Sequence, residues 1–309
     1  MPSLQSYLFR WIVQYYLAPQ YRRAGQSISK WRKLMDLTTR FQRIPTGTQI
    51  VPVLVRDTAA EWVWVPSVTA ERAALYLHGG AFVMGSPATH RELAARLSAA
   101  SGACMLVLDY RLSPEHPFPA AMQDAISAYC WLLDEGYEPK RVAIGGDSAG
   151  GGLALQSLIA LRDGGGQLPA AGFFMSPVTD WVRFDGESYT TRAGVDPWIT
   201  ESMCRFTSAA YVSDNDPETP LLYPTAINLS GLPPLCIHVG DHELLLSDST
   251  RLAERAQAAG VEVEFKVWES MVHVFQAGAS FVPEARQSLA EIGRFVRDRM
   301  GYTKLRKQE

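Results

Sequence analysis

The pentapeptide Gly146-Asp147-Ser148-Ala149-Gly150 constrains this chain more than any other stretch. A short apolar run, Arg141-Val142-Ala143-Ile144-Gly145, precedes it, and an Ala/Leu-rich stretch with helical spacing, Gly151 to Leu161, follows it. Strand, tight turn and helix around G-x-S-x-G make a nucleophile elbow, in which the serine sits on a sharp, strained turn. Strand and helix crowd together there, so the flanking residues have to be small. Gly146, Ala149, Gly150 and Gly151 meet that demand. A bare G-x-S-x-G arises often by chance; the predicted strand and helix beside it give this one mechanical meaning.

The rest of the chain supplies a sheet for such an elbow. Ile50–Val55 and Trp62–Val65 alternate like an edge hairpin. Strands then alternate with helices: Ala73–Leu77, helix His90–Ser98, Cys104–Leu108, helix Ala120–Leu133, the elbow strand and helix, and Ala171–Met175. After a long interval come Leu235–Val239, helix Asp248–Ala259 stopped by Gly260, Val261–Trp268, and a closing helix from Pro283 to about Met300. That alternation predicts an α/β fold with a mostly parallel sheet covered on both faces. Two segments do not fit the sheet. Residues 1–45 read as helical pieces rich in aromatics and Arg/Lys. Trp181 to about Pro233 contains several prolines and no core strand, and reads in part as an insertion above the sheet.

Composition narrows the class. With 309 residues, 47% hydrophobic and 20% charged, the chain can bury a sizeable core. A net charge of −3 argues against nucleic acid as a partner. The basic tail Lys304, Arg306, Lys307 reads as a solvated terminus. Cys104, Cys130, Cys204 and Cys236 form no C-x-x-C pair and no zinc-spaced cluster, so free thiols, no metal and a reducing, cytoplasmic setting are expected. Tyr7–Ala18 is apolar but interrupted by Arg10 and ended by Pro19, too short for a span of ~20 residues. It predicts an amphipathic helix with Leu8, Trp11, Ile12, Tyr15 and Tyr16 near one side. That side either packs on its own domain or lies on a membrane surface; no stable anchor is expected.

An elbow serine needs a base, an orienter for the base, and donors for an oxyanion. The orienting acid and then the base are expected downstream of the serine, each at a strand end. His273 hangs from a short loop after Val261–Trp268, where a base can reach Ser148; His238 falls inside a strand and His242 beside the acid. Asp241 directly follows Leu235–Val239 and is the expected acid, with Glu243 and Asp248 as competitors. Asp248 reads as a helix-start residue. Oxyanion donors are expected at Ala149 and in the loop His78-Gly79-Gly80-Ala81-Phe82, at Gly79 and Gly80. One such donor is worth ~3 kcal/mol of transition-state stabilisation.

These motifs, together with Tyr110-Arg111-Leu112-Ser113-Pro114-Glu115-His116-Pro117-Phe118-Pro119-Ala120-Ala121 and His273-Val274-Phe275, occur in an order that resembles the bacterial hormone-sensitive-lipase-like esterases, the subgroup with G-D-S-A-G. The resemblance spans about residues 50 to 300. It implies an α/β-hydrolase fold with a sheet of about eight strands in a catalytic domain 46–309, and a helical cap from 1–45 and about 181–220. It implies hydrolysis of short-chain acyl esters by Ser148, His273 and Asp241 through an acyl-enzyme, with Gly79, Gly80 and Ala149 as donors and no cofactor. His78 and Tyr110–Pro114 then brace the oxyanion loop. Ala81 departs from the family's third glycine, and Asp241-His242-Glu243 from its usual D-P-L.

The expected partner is a small-molecule ester. Amidase or acyltransferase chemistry uses the same triad, and a non-catalytic receptor on this fold is the rival outside enzymes; receptors resembling this family have lost the histidine that is present here. The cap places Trp11, Tyr15, Phe82 and Trp198 as candidates to line a substrate pocket, and Arg192 or Asp196 as either acid-selecting or cap salt-bridge residues. The strand 261–268 is an edge that either pairs in a homodimer or is protected by Glu262, Glu264 and Lys266.

Overall fold

The computed structural model describes residues 1–301, which leaves the basic tail at Lys304, Arg306 and Lys307 outside the described residues. The described residues build one eight-stranded sheet: β1 (Gln49–Val55), β2 (Thr58–Trp64), β3 (Ala73–Leu77), β4 (Cys104–Leu108), β5 (Val142–Asp147), β6 (Ala171–Met175), β7 (Leu235–Gly240) and β8 (Val263–Trp268). Its order is β1-β2-β4-β3-β5-β6-β7-β8. β1 and β2 form the expected antiparallel edge hairpin, β2 runs antiparallel to β4, and every later pairing is parallel. β3 to β6 are buried at every position, which is why they appear in the sequence as unbroken apolar runs without alternation.

Helices cover both faces. α4 (Pro87–Ser101) and α10 (Pro283–Arg299) enclose one core with Tyr76, Phe173 and Phe275; α5 (Ala120–Asp134), α6 (Ala149–Asp163) and α9 (Leu246–Ala258) enclose the other with Leu75, Ile144 and Phe174. α4 starts earlier than its periodicity predicts because Ser86 and Thr89 cap its first turn reciprocally. β8 starts later, because the Val261 N–H is spent on Ala256 O, closing the turn after α9.

The sheet order decides where chemistry can sit. The chain leaves β3 toward β4 on one side, while β5 lies on its other side. A crevice therefore opens beyond the carboxyl ends of β3 and β5, the switch point of an open parallel sheet. The two segments that did not fit the sheet meet one another. They are α1 (Leu4–Ile12), a π-helical turn Val13–Leu17, α2 (Ala18–Ala24) and α3 (Ile28–Thr38) on one side, and α7 (Glu187–Thr191) and α8 (Glu201–Val212) on the other. Tyr21 packs on Trp198 and Trp31 on Phe206, with ring centroids 5.5 and 5.4 Å apart. Both join Val83 and Met84, which follow β3.

Candidate active site

Ser148 stands between β5 and α6 with φ 51° and ψ −122°, the strained geometry expected of an elbow. Its N–H is held by Met175 O at 2.8 Å. The helix presses so close to β3 that a Cβ at Gly150 would collide with the carbonyl oxygens of Leu77 and His78. Small size at that position is therefore a steric requirement.

His273 hangs from the loop after β8 and reaches Ser148, with Nε2 2.9 Å from Oγ. Its Nδ1 lies 2.9 Å from Oε2 of Glu243. The Glu243 side chain is wholly buried and the His273 side chain is 8% exposed. Glu243 Oε1 accepts from the Gly240 N–H at 2.6 Å and from the Ser176 hydroxyl at 2.7 Å. The Val274 N–H in turn donates to Ser176 Oγ at 3.2 Å, which ties the histidine loop to the acid. With Nδ1–H donated to a carboxylate, Nε2 is left as an acceptor facing the serine hydroxyl.

Asp241 is the expected acid, but the carboxylate that the structure sets against His273 is that of Glu243. The short Asp241 side chain turns back. Its Oδ1 accepts from the Ser270 N–H at 2.6 Å and lies 2.7 Å from His242 Nδ1. It fastens the turn that leads from β8 toward His273. Glu243, two residues on and one methylene longer, reaches inward instead. Asp248 sits in the first turn of α9, where it accepts from the backbone N–H groups of Thr179 and Asp180.

The His273 imidazole is pulled two ways. Burial lowers its pKa, but the hydrogen bond and charge of Glu243, with Asp196 and Asp147 further off, outweigh burial and raise it above the ordinary 6.5.

The oxyanion loop needs a second correction. The Gly79 N–H donates to Asp147 Oδ1 at 3.0 Å, so it is not free for substrate. The same oxygen accepts from Tyr76 OH at 2.5 Å, which makes the second residue of the pentapeptide a brace for the loop. The N–H groups of Gly80, Ala81 and Ala149 carry no hydrogen-bond partner among the described residues. Gly80 has φ +126° and Ala81 has φ 54°, conformations that turn this short run away from strand geometry. His78 and Tyr110 brace it from behind: their rings stack 4.3 Å apart and Tyr110 OH donates to His78 O at 2.7 Å.

The four candidate pocket residues separate. Phe82 is fully buried, stacked 3.7 Å from Tyr211 and close to Trp181, because φ 61° throws its side chain back into the core. It glues the oxyanion loop to α8 and does not line an open pocket. Trp198 packs on Tyr21 among the roof helices. Trp11 and Tyr15 touch one another and stand 47% and 58% exposed. Arg192 and Asp196 form no salt bridge among the described residues. Arg192 Nε donates to Asp241 O at 2.8 Å, and buried Asp196 accepts from the N–H groups of Leu244, Trp198 and Ile199. Sequence reasoning missed Ser176 and Ala81, whose roles depend on backbone placement that no residue pattern signals.

A strained serine, a histidine in line with a buried carboxylate, and free N–H groups at a sheet switch point define a hydrolase of the α/β class. The family model described as alpha/beta hydrolase fold matches residues 74–277. An acetyl-hydrolase of Streptomyces hygroscopicus is 43% identical over 249 residues, 81% of this chain and 83% of the relative. A carboxylesterase/phospholipase, LipF, of Mycobacterium tuberculosis is 36% identical over 85% of this chain and 73% of the relative. The crystal structure of an esterase from the bacterial hormone-sensitive lipase family superposes with a TM-score of 0.91 at 39% identity, covering 97% of this chain and 100% of that one. The chain belongs to the hormone-sensitive-lipase-like α/β-hydrolases, and it is a carboxylic ester hydrolase.

Proposed function

We propose that this protein hydrolyses short-chain acyl esters through a Ser148-His273-Glu243 triad and a covalent acyl-enzyme. The observation that carries this reading is the unbroken relay from Ser148 Oγ through both nitrogens of His273 to the buried Glu243 carboxylate. His273 Nε2 takes the Ser148 proton as Oγ attacks the ester carbonyl. Glu243 holds the Nδ1–H tautomer and stabilises the imidazolium without itself being protonated. The N–H groups of Gly80, Ala81 and Ala149 receive the oxyanion. The imidazolium then protonates the leaving alcohol, and the neutral imidazole activates the water that releases the acid. Residues 1–45 and about 181–220 act as a cap over the domain 46–309. Their aromatic residues Tyr21, Trp31, Trp198 and Phe206 pack against Val83 and Met84, the residues that continue the loop after β3.

The test is a p-nitrophenyl ester series of increasing acyl length, paired with mass-spectrometric mapping of a phosphonate label. Label on Ser148 and turnover that falls with chain length are expected. Wild-type turnover in a folded Ser148→Ala variant overturns the mechanism.

A further inference from the structure

The helix α1 is apolar on both sides. Ser6, Phe9 and Val13 point inward; Ser6 and Val13 are buried, and Phe9 meets Phe281 at 5.8 Å, just beyond the His273 loop. Leu4, Leu8, Trp11 and Tyr15, spaced i, i+4, i+7 and i+11, form the opposite stripe and are exposed. Gln5, Ser6 and Arg10 interrupt the helix elsewhere, but a large apolar stripe on the outer face of a surface helix normally has cover. The π-helical turn Val13–Leu17 widens this stripe. Its extra residue per turn sets Tyr16 as well as Tyr15 against Trp11, with ring centroids 5.2 and 5.7 Å away. Among the described residues, 13 large hydrophobic side chains stand exposed, and nine of them fall within the first 41 residues, ending with Leu37 and Phe41. The uncovered apolar surface is thus concentrated in one layer of helices.

Charge is concentrated in the same layer. Residues 1–45 hold eight Lys and Arg against the single Asp36, a net charge of +7, while the whole chain carries −3, so the remainder carries −10. Of those eight cations only Arg32 is in an ion pair among the described residues. Arg10 lies over the Tyr7 ring at 5.2 Å, its charge kept beside the apolar stripe.

Exposed Trp, Tyr and Leu on a helix, within a layer rich in unpaired cations, match a surface that is greasy inside and anionic at its face. A second copy of this chain fits less well, because a symmetric contact would bring two layers of +7 together. We propose that α1 and the π-turn dock this enzyme reversibly on anionic phospholipid bilayers, with the exposed cations of α2 and α3 supplying the attraction. The docked helix would lie directly behind the segment that follows His273.

The experiment is co-sedimentation of the full chain with vesicles of phosphatidylcholine alone or doped with phosphatidylglycerol. Binding about tenfold tighter or more to the doped vesicles, weakening with salt, is expected. The variant Leu4→Ser/Leu8→Ser/Tyr16→Ser should lose about tenfold in partitioning while its turnover of a water-soluble ester and its Tm stay at wild type. The variant Arg23→Glu/Lys30→Glu/Lys33→Glu should lose the preference for the doped vesicles. Equal or absent binding to the two vesicle types overturns the proposal. So does wild-type binding by the apolar variant, or a wild-type dimer that this variant dissolves.

Discussion

Glu243 and His273 share a hydrogen bond of 2.9 Å in which the carboxylate is wholly buried, while Asp241, nearer the strand end, serves the Ser270 turn. The two carboxylates therefore separate under mutation. Glu243→Gln keeps the shape but cannot hold the Nδ1–H tautomer, and kcat should fall by about 10³-fold or more. Asp241→Asn keeps an acceptor for the Ser270 N–H, and kcat should fall by less than about tenfold. Steady-state hydrolysis of one soluble ester by both purified variants checks this. The reverse ranking would return the acid role to Asp241.

The same pair sets a pH dependence. His273 works as a base only when neutral, and its pKa is raised despite burial. kcat/KM should therefore fall on acidification with an inflection above the ordinary value of about 6.5, and Glu243→Gln should move the inflection down. Stability runs the other way. A histidine with a raised folded pKa stabilises the fold fully below its unfolded pKa, and that contribution is lost as pH rises through the folded value. Rate profiles from pH 5 to 9 decide the matter, and a wild-type inflection well below 6.5 contradicts it.

The backbone of the oxyanion loop gives a contrast between neighbours. A Cβ at Gly80 would collide with Met84 O, at a φ of +126° that side chains rarely adopt. Gly80→Ala should cost about 10²-fold or more in kcat by displacing the donors. Ala81 already sits at φ 54°, so Ala81→Gly relieves strain and should keep activity within a few-fold. Kinetics on both variants, with circular dichroism to confirm folding, tests whether donor placement or mere glycine content matters.

The sheet was legible because its central strands are buried on both faces and its helices are amphipathic or small-residue rich. Ser148 and His273 were legible because an elbow and a loop after the last strand are fixed by topology. Asp241 against Glu243 was not. Both follow the same strand, and the choice turns on which side chain folds back onto a turn. Gly79 misled for a related reason: its sequence context is that of a donor, but the Asp147 side chain consumes its N–H. Phe82 ends the run Gly79-Gly80-Ala81-Phe82 like a pocket residue, yet a positive φ reverses its direction. In each case the deciding contact joins segments distant in sequence or depends on a single backbone angle.

Asp248 offers a test of how the insertion after β6 is held down. Its Oδ2 accepts from the Thr179 and Asp180 N–H groups at 2.7 and 3.0 Å, and its Oδ1 lies 3.2 Å from Tyr189 OH. Burial pushes this carboxyl up to about 7, against the backbone hydrogen bonds that lower it. The neutral acid fits the site better than the anion: Oδ1 can donate to Tyr189 while Oδ2 still accepts twice. With the folded pKa raised, the stabilising contribution is fully present below the unfolded value near 3.8 and is lost as pH rises through about 7. Asp248→Asn reproduces the neutral form and cannot ionise. Its Tm should match wild type near pH 5 and exceed it at pH 8. Asp248→Ala leaves two buried N–H groups unpaired and should cost about 2 kcal/mol or more at either pH. Thermal denaturation of the three proteins across that range checks the sign, and an Asn variant less stable than wild type at pH 8 would show that the ionised carboxylate is what the fold prefers.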